Sequence, residues 1–385
     1  MPVALLLKGF EVEMYTGRPD GQVVGIAAEA AAALEGFVTE PDNRNLEYTT
    51  APEASYRRQL ELLLEPRRRL RSWLQPRGLT LLPGSTLSLG DSHIFVRSDP
   101  ANPYHATIET SYGTRVVTAS VHINLGLEQM APLFAGLRLL RCEAALLLAL
   151  SASSPFLDGE NCGVHSQRWL QFPLTPPQVP LFRDHRHYIT WMEQQLAAGQ
   201  MVNVRHLWTS VRPNGENRPH DLNRLELRIC DLIADPLQLL AVTAYAELRL
   251  QQLLRDPQRH DPLHSSTLSP EALAELADAN DRQAARSSLD SVLHHWRDGQ
   301  PIAARRWLEQ ELNAMAPLAA ELGLEAALAP LRPLLERGNQ AMQWLERHRC
   351  GESIAAIVAS EAEQLAAQES RLTAWLATDA ANALG

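Results

Sequence analysis

Carboxylates and one imidazole recur at alternate positions in four short segments, a spacing that can do chemistry. Side chains two apart on a strand point the same way, roughly 6.5 Å from each other. In 8–16, Glu11, Glu13 and Tyr15 share one face, and Phe10, Val12 and Met14 share the other. In 45–49, Asn45, Glu47 and Thr49 form one side. In 116–125, Thr118, Ser120, His122 and Asn124 oppose Val117, Ala119, Val121, Ile123 and Leu125. In 224–230, Arg224, Glu226, Arg228 and Cys230 oppose Leu225, Leu227 and Ile229. Singly, each polar face has a mundane source: a wetted antiparallel sheet, a structural histidine, or a surface Glu–Arg pair worth roughly 0–1 kcal/mol. Together they read as one cavity lined by glutamates and a histidine.

Bare carboxylates about 5 Å apart repel by roughly 3 kcal/mol per pair at an effective dielectric of about 20. Divalent cations remove that cost. Oxygen donors with one imidazole favour Mg²⁺ or Mn²⁺ over zinc, and no His-Glu-x-x-His stretch argues otherwise. Because Mg²⁺ keeps waters and shares its shell with substrate phosphates, phosphoryl transfer is the leading chemistry.

Composition narrows the field. The 385 residues carry 35 basic and 45 acidic side chains, a net charge of −10, whereas nucleic-acid binding requires a basic footprint. The Arg67, Arg68, Arg69 and Arg71 run reads as a charged helix face. The longest apolar run, 144–150, falls far short of the ~20 residues of a membrane span. No cleavage site follows the apolar residues 3–7, so no signal peptide is read and a soluble, cytoplasmic protein is expected. Cys142, Cys162, Cys230 and Cys350 are too scattered for a disulfide framework or a metal site. Lys8 is the single lysine, and it precedes no glycine-rich helix start. That excludes a Walker A loop, a kinase strand lysine and Schiff-base chemistry. Any nucleotide phosphates must be held by arginines and metal ions.

The elements that position these residues divide along the chain. Up to about 250, short alternating runs mix with Pro- and Gly-marked turns, which predicts strands with intervening helices. Residues 255–270 read as a linker that closes on Ser269, Pro270 and Glu271, a helix start. Beyond it the periodicity predicts helices over 271–297, 301–322, 325–349 and 353–378. Residues 1–254 are thus expected to be a catalytic α+β region, and 271–385 a helical region packed on the same unit. The tryptophans at 296, 307, 344 and 375 read as core or interface residues.

The ordered motifs carry a resemblance. Gly9-Phe10-Glu11-Val12-Glu13, Asn45-Leu46-Glu47-Tyr48-Thr49-Thr50, Pro83-Gly84-Ser85-Thr86, Ser120-Val121-His122-Ile123-Asn124, Val211-Arg212-Pro213-Asn214, Leu225-Glu226-Leu227-Arg228 and Asn280-Asp281-Arg282 occur in that order. This set resembles the glutamate–cysteine ligase family, its cyanobacterial branch above all, within the carboxylate–amine ligases. The resemblance implies a glutamine-synthetase-like α+β fold: a curved, mainly antiparallel sheet, helices packed behind it, and a helical C-terminal third. It implies an ATP- and Mg²⁺-dependent enzyme joining the glutamate γ-carboxylate to the cysteine amine, with neither nucleic acid nor membrane as partner. Carried over by motif, Glu11, Glu13, Glu47, His122 and Glu226 are the metal ligands. Arg228, in the Glu-x-Arg pattern with Glu226, contacts phosphate or the γ-carboxylate. Asn45, Thr49, Asn124, Arg168, Arg212 and Arg286 are expected among the substrate- or nucleotide-binding residues. A ligase of the same fold with another amine acceptor, a kinase-like enzyme that stops after phosphoryl transfer, and a non-enzymatic binding protein remain as alternatives.

Overall fold

The structure, a computed structural model, describes residues 4–384 apart from the side chains of Asp379, Ala380 and Asn382. Seven strands form one antiparallel sheet: β1 (Lys8–Gly17), β2 (Phe37–Thr39), β3 (Asn45–Thr49), β4 (Thr80–Leu82), β5 (Val121–Gly126), β6 (Val211–Asn214) and β7 (Arg224–Leu227). Their order is β2-β3-β1-β5-β7-β6, with β4 also paired to β1. The alternation in β1 is what sets it centrally. Phe10, Val12 and Met14 are buried on the helix side, opposite the glutamates.

Three helices cover that side. α1 (Tyr56–Leu74) is capped by Ser55, whose side chain accepts from Arg58 N. α2 (Met130–Ser151) packs on β6 and β7, and α3 (Pro236–Arg255) packs against both α1 and α2. From Leu133 to Ser151 every residue of α2 is buried, as a helix between two layers requires. Its buried charges are all paired: Arg138 with Asp261 (2.5 Å), Arg141 with Asp278 (2.7 Å) and Glu143 with Arg249 (2.6 Å). Further on, α4 (Pro270–Ser287), capped by Ser269, packs on α2. α5 (Ala304–Leu322) packs on α3, and α6 (Ile354–Leu376) packs on α1. Trp296, Trp307 and Trp344 are buried. Among the described residues, no helix is long and apolar enough to cross a membrane.

Where the elements depart from the sequence expectation, a local cause is visible. Gly113–Val116 form a 3-10 turn, so β5 starts only at Val121. Strand β7 stops at Leu227 because Arg228 N and Ile229 N both donate to the Ser210 carbonyl (2.8 and 3.2 Å), a bulge-like break in the ladder. The helix expected over 271–297 ends at Ser287. Ser288 takes φ +41 there, and the chain enters a hairpin of Val292–His294 with Pro301–Ala303. The helix expected over 325–349 is broken at Pro330 and at Gly338 (φ +90) into three short pieces. The stretch 255–270 contains two single-turn helices, capped by Asp256 and Asp261.

The arginine run in α1 is only partly a solvated face. Arg67 falls on the stripe formed by Leu60, Leu63, Leu64, Leu70 and Leu74, and it is fully buried. It donates to Tyr48 Oη (2.7 Å) and the Ala234 carbonyl (2.6 Å), and faces Glu369 of α6 (3.7 Å). Arg67→Ala leaves Glu369 to Arg71 alone, removes the buried donors to Tyr48 Oη and the Ala234 carbonyl, and is expected to lower stability by about 3 kcal/mol or more. Arg68→Ala, at an exposed neighbour, is expected to change it by no more than about 0.5 kcal/mol. Chemical denaturation of both variants checks the contrast.

Candidate active site

The register brings the four polar faces together. Glu11 lies opposite Thr49 on β3 and His122 on β5, and Glu13 lies opposite Glu47. One step along, Glu226 of β7 lies opposite Asn124 on β5 and Arg212 on β6. Two donor clusters result, each with ligating atoms within 4.8 Å of one another: Glu11, His122 and Glu226, and Glu13, Glu40 and Glu47. His122 joins them. Its Nδ1 is 2.9 Å from Glu11 Oε2 and 3.7 Å from Glu226 Oε1, while its Nε2 is 4.0 Å from Glu13 Oε1. Ser120 donates to Glu13 Oε2 (2.8 Å) and sits 3.2 Å from His122 Nε2.

The two clusters carry opposite electrostatics. Burial alone would raise the carboxyl of Glu226, but Arg212 and Arg228 outweigh it and hold this group well below the usual range. Arg212 binds it bidentately (Nε–Oε2 2.7 Å, Nη2–Oε1 2.9 Å), Arg228 Nη1 donates at 2.6 Å, and Asn214 Nδ2 donates at 2.7 Å. Among the described residues, Glu13, Glu40 and Glu47 have no arginine paired to them. Burial first, then the charges of Glu40, Glu13 and Glu11, push Glu47 up to about 10. Burial likewise raises Glu13, with Glu40 adding to it, and raises Glu40, which hydrogen-bonds to Glu47. Without a cation, Glu47 in this corner is protonated at neutral pH.

The remaining expected residues are placed as follows. Asn124 Nδ2 donates to Glu11 Oε1 (3.1 Å), and its Oδ1 accepts from Arg224 (3.2 Å). Thr49 is exposed at the end of β3. Asn45 is buried and turns away, donating to the Thr118 carbonyl (2.9 Å). Arg212 is committed to Glu226 and to the Arg205 and Leu207 carbonyls (both 3.0 Å), so it positions Glu226 and does not stand free for a substrate. Arg168 is buried and donates to the Ile229 and Arg228 carbonyls (3.1 and 3.0 Å), fixing the backbone from which Arg228 projects. Arg286 is exposed at the end of α4 and makes no ion pair with the acidic face among the described residues.

Three residues escape a reading by alternation. Glu40 follows a strand of only three residues, too short for a two-residue period to show. Arg218 lies in the β6–β7 loop within electrostatic reach of Glu226, Arg205 and Arg228, and its buried Nη1 has no hydrogen-bond partner. Tyr104, on the helix Pro103–Tyr112, is partly exposed, with its phenol within reach of Glu40, Arg205 and Arg228. Beside Glu11, a cleft of about 640 Å³ opens between Asn124, Thr49, Arg224 and the leucines at 5–7.

The profile of glutamate–cysteine ligase family 2 matches residues 7–364. A Micrococcus luteus protein provisionally named glutamate–cysteine ligase 2 is 28% identical over 274 residues, covering 69% of this chain and 65% of the relative. A Gloeobacter violaceus protein of the same provisional name is 27% identical over 299 residues, covering 75% of this chain and 76% of the relative. Among solved structures, the glutamate–cysteine ligase of Francisella tularensis, in complex with AMP, superposes with a TM-score of 0.74 at 12% identity, covering 98% of this chain and 93% of that one. A bifunctional glutathione synthetase from Pasteurella multocida gives 0.71 at 17% identity, covering 94% of this chain and 52% of that one. These last two likenesses establish the fold.

The acidic corner predicts a pH dependence whose sign follows from linkage. Carboxyls raised above their ordinary 4.5 take up protons on folding, so the metal-free protein loses stability as pH rises from 4.5 toward the folded value near 10 of Glu47. A divalent cation replaces those protons. The rise in Tm on adding MgCl₂ is therefore expected to grow with pH across that window, and to shrink in Glu47→Gln. Thermal melts over a pH series, with MgCl₂ or with EDTA, measure it; a gain independent of pH contradicts it.

Proposed function

The chain belongs to glutamate–cysteine ligase family 2, and on that premise we propose that it is a cytoplasmic, ATP-dependent ligase joining the γ-carboxylate of glutamate to the amine of cysteine. The product would be γ-glutamylcysteine, which makes this the first step of glutathione synthesis. One observation carries the reading: the face is bipolar, with uncompensated carboxylates at Glu13, Glu40 and Glu47 and surplus guanidinium charge around Glu226.

The donor set fits Mg²⁺ or Mn²⁺, since oxygen ligands dominate and Glu47 otherwise stays protonated. Glu13, Glu40 and Glu47, with Glu11, His122 and Glu226, are the residues that would hold such ions. When bound, they neutralise the triphosphate and its developing charge. In the first step a γ-carboxylate oxygen of glutamate attacks the γ-phosphorus of ATP, the bond to ADP breaks, and an acyl phosphate forms. Arg228 is held beside this chemistry by Glu226 at one end and by Arg168 behind its backbone, a preorganised guanidinium rather than a mobile one. In the second step the cysteine amine attacks the acyl carbon, phosphate leaves, and the amine gives up a proton. Arg218, with its unpartnered Nη1, and Arg205 are suited to the α-carboxylate of glutamate, which keeps the γ-carboxylate pointed at the phosphate.

A second reading, the same ligation with a bulkier amine, is favoured by the leucine-lined cleft of about 640 Å³ beside Glu11, far larger than a cysteine side chain fills. Incubation with ATP, MgCl₂, glutamate and a panel of amines distinguishes the readings. Release of ADP that requires glutamate and cysteine, with γ-glutamylcysteine identified by mass spectrometry, supports the first. Turnover with another amine and not with cysteine supports the second, and absence of ADP release with every amine defeats both. Glu226→Gln is expected to keep the fold and to lower kcat by about a hundredfold or more, because Arg228 loses its anchor in the transition state. Arg218→Gln is expected to raise KM for glutamate about tenfold while leaving KM for ATP nearly unchanged. Steady-state kinetics on both variants test these assignments.

A further inference from the structure

The cleft of about 640 Å³ beside Glu11 pairs an apolar wall with a cation that no carboxylate answers among the described residues. Its floor includes Gly126 of β5, which shares the face of Asn124 and puts no side chain into the space. On one side the Leu7 carbonyl accepts from Gly126 N (2.8 Å); on the other, Arg224 of β7 is the register partner of Gly126. Leu7 and Arg224 therefore stand on either side of one glycine, two strand spacings or about 10 Å apart. Leu7 is 53% exposed, and the half-buried Leu5 and Leu6 continue the same wall.

Arg224 is half-buried, and its partners are neutral: Nε donates to Asn124 Oδ1 (3.2 Å) and Nη1 to Asn223 Oδ1 (3.0 Å). Among the described residues it makes no ion pair, and its Nη2 donates to nothing. Arg212 and Arg228, on the same face, are both spent on Glu226, whereas Arg224 keeps its charge available. The two amides fix its orientation without cancelling that charge, which suits it to a carboxylate. Asn124 also sets a distance. Its Oδ1 accepts from Arg224 while its Nδ2 donates to Glu11 Oε1 (3.1 Å), so cation and anion stand one carboxamide apart. The carboxylate and the amine on one α-carbon span that gap.

We propose that this cleft is the acceptor subsite for an α-amino acid with a large apolar side chain. Arg224 takes its carboxylate, its amine is turned toward Glu11, and its side chain lies on the leucines at 5–7. The inference rests on the ligase reading with a bulkier amine, and it names the class of that amine. A cysteine side chain leaves the leucines in water, whereas each methylene laid on them strengthens binding by about fourfold. A simple alkylamine would leave Arg224 without an anion.

The test compares kcat/KM of the full chain for leucine, methionine, phenylalanine and cysteine, and for the amide of each, at saturating ATP, MgCl₂ and glutamate. Expected is ADP release with a γ-glutamyl dipeptide, identified by mass spectrometry. At least one apolar amino acid is expected to be about tenfold better than cysteine and about tenfold better than its own amide. Arg224→Gln is expected to erase the preference for acid over amide, with KM for ATP and for glutamate nearly unchanged. Leu7→Ser, at an exposed position, is expected to cut the preference over cysteine by about fourfold or more. Cysteine as the best acceptor overturns the inference and leaves the ligase standing. So does equal turnover of acid and amide in the wild type, or a preference for acid that survives in Arg224→Gln. Absence of ADP release with every amine removes the ligase reading and the inference with it. The comparison of acid with amide in the wild type keeps the test decisive even where Arg224→Gln fails to fold.

Discussion

Carboxylates placed side by side on a partly buried surface must be answered by protons, by the protein's own cations, or by ions from outside. All three answers meet on one sheet here. Glu226 is met by arginine, Glu11 by His122 and Asn124, Glu13 by Ser120, and Glu47, with a carboxyl pushed up to about 10, by a proton. The rest of the site depends on that division. On the arginine side, Arg168, Arg212 and Arg228 are fixed before any ligand arrives, each guanidinium held by a carboxylate or a backbone carbonyl, while Arg218 keeps a buried donor unmade. The acidic side stays unsatisfied, so a cation's binding free energy is available there.

Legibility followed the backbone period. Glu11 and Glu13 sit in a strand long enough to show alternation, and His122, Glu47 and Glu226 lie in register with them once β1, β3, β5 and β7 are paired. Glu40 lies beyond that reach because β2 is three residues long. Arg218 lies in a loop, where no period exists to point it anywhere. Arg212 and Arg168 show a different limit: charge is visible in a sequence, but the partner that consumes it is not. Arg67 marks the same limit in reverse. Its place on the leucine stripe of α1 was a readable sign of burial, masked by the arginines that follow it.

The helical layer applies the same electrostatic rule to most of its buried charges. Lys8, the single lysine, is fully buried against Glu247 (3.2 Å), which also accepts from Tyr56 Oη (2.7 Å) and from Leu6 N (2.5 Å). It pins the start of β1 to α1 and α3. Arg249 holds Glu143 bidentately while Trp296 donates to the same carboxylate (3.0 Å), tying α2, α3 and the C-terminal hairpin together. Such pairs cost desolvation, so net stability is not their evident use. Each does exclude alternative packings, because a shifted helix would leave a charge buried alone.

That contrast locates function more sharply than any single motif. Behind the sheet, Arg138, Arg141 and Arg249 each meet an acidic partner, and the layer can hold one arrangement. In front, Glu13, Glu40 and Glu47 crowd together while Arg218 keeps a donor unmade. Asp281 of α4 is the exception behind the sheet, a buried carboxyl pushed up to about 8, with no ion pair among the described residues. On the proposed function, the unpaired groups in front are where a ligand would supply the missing partner: a cation for the carboxylates, an anionic group for the arginine. The few ångströms between the two sets, bridged by His122, are where phosphate and carboxylate would meet.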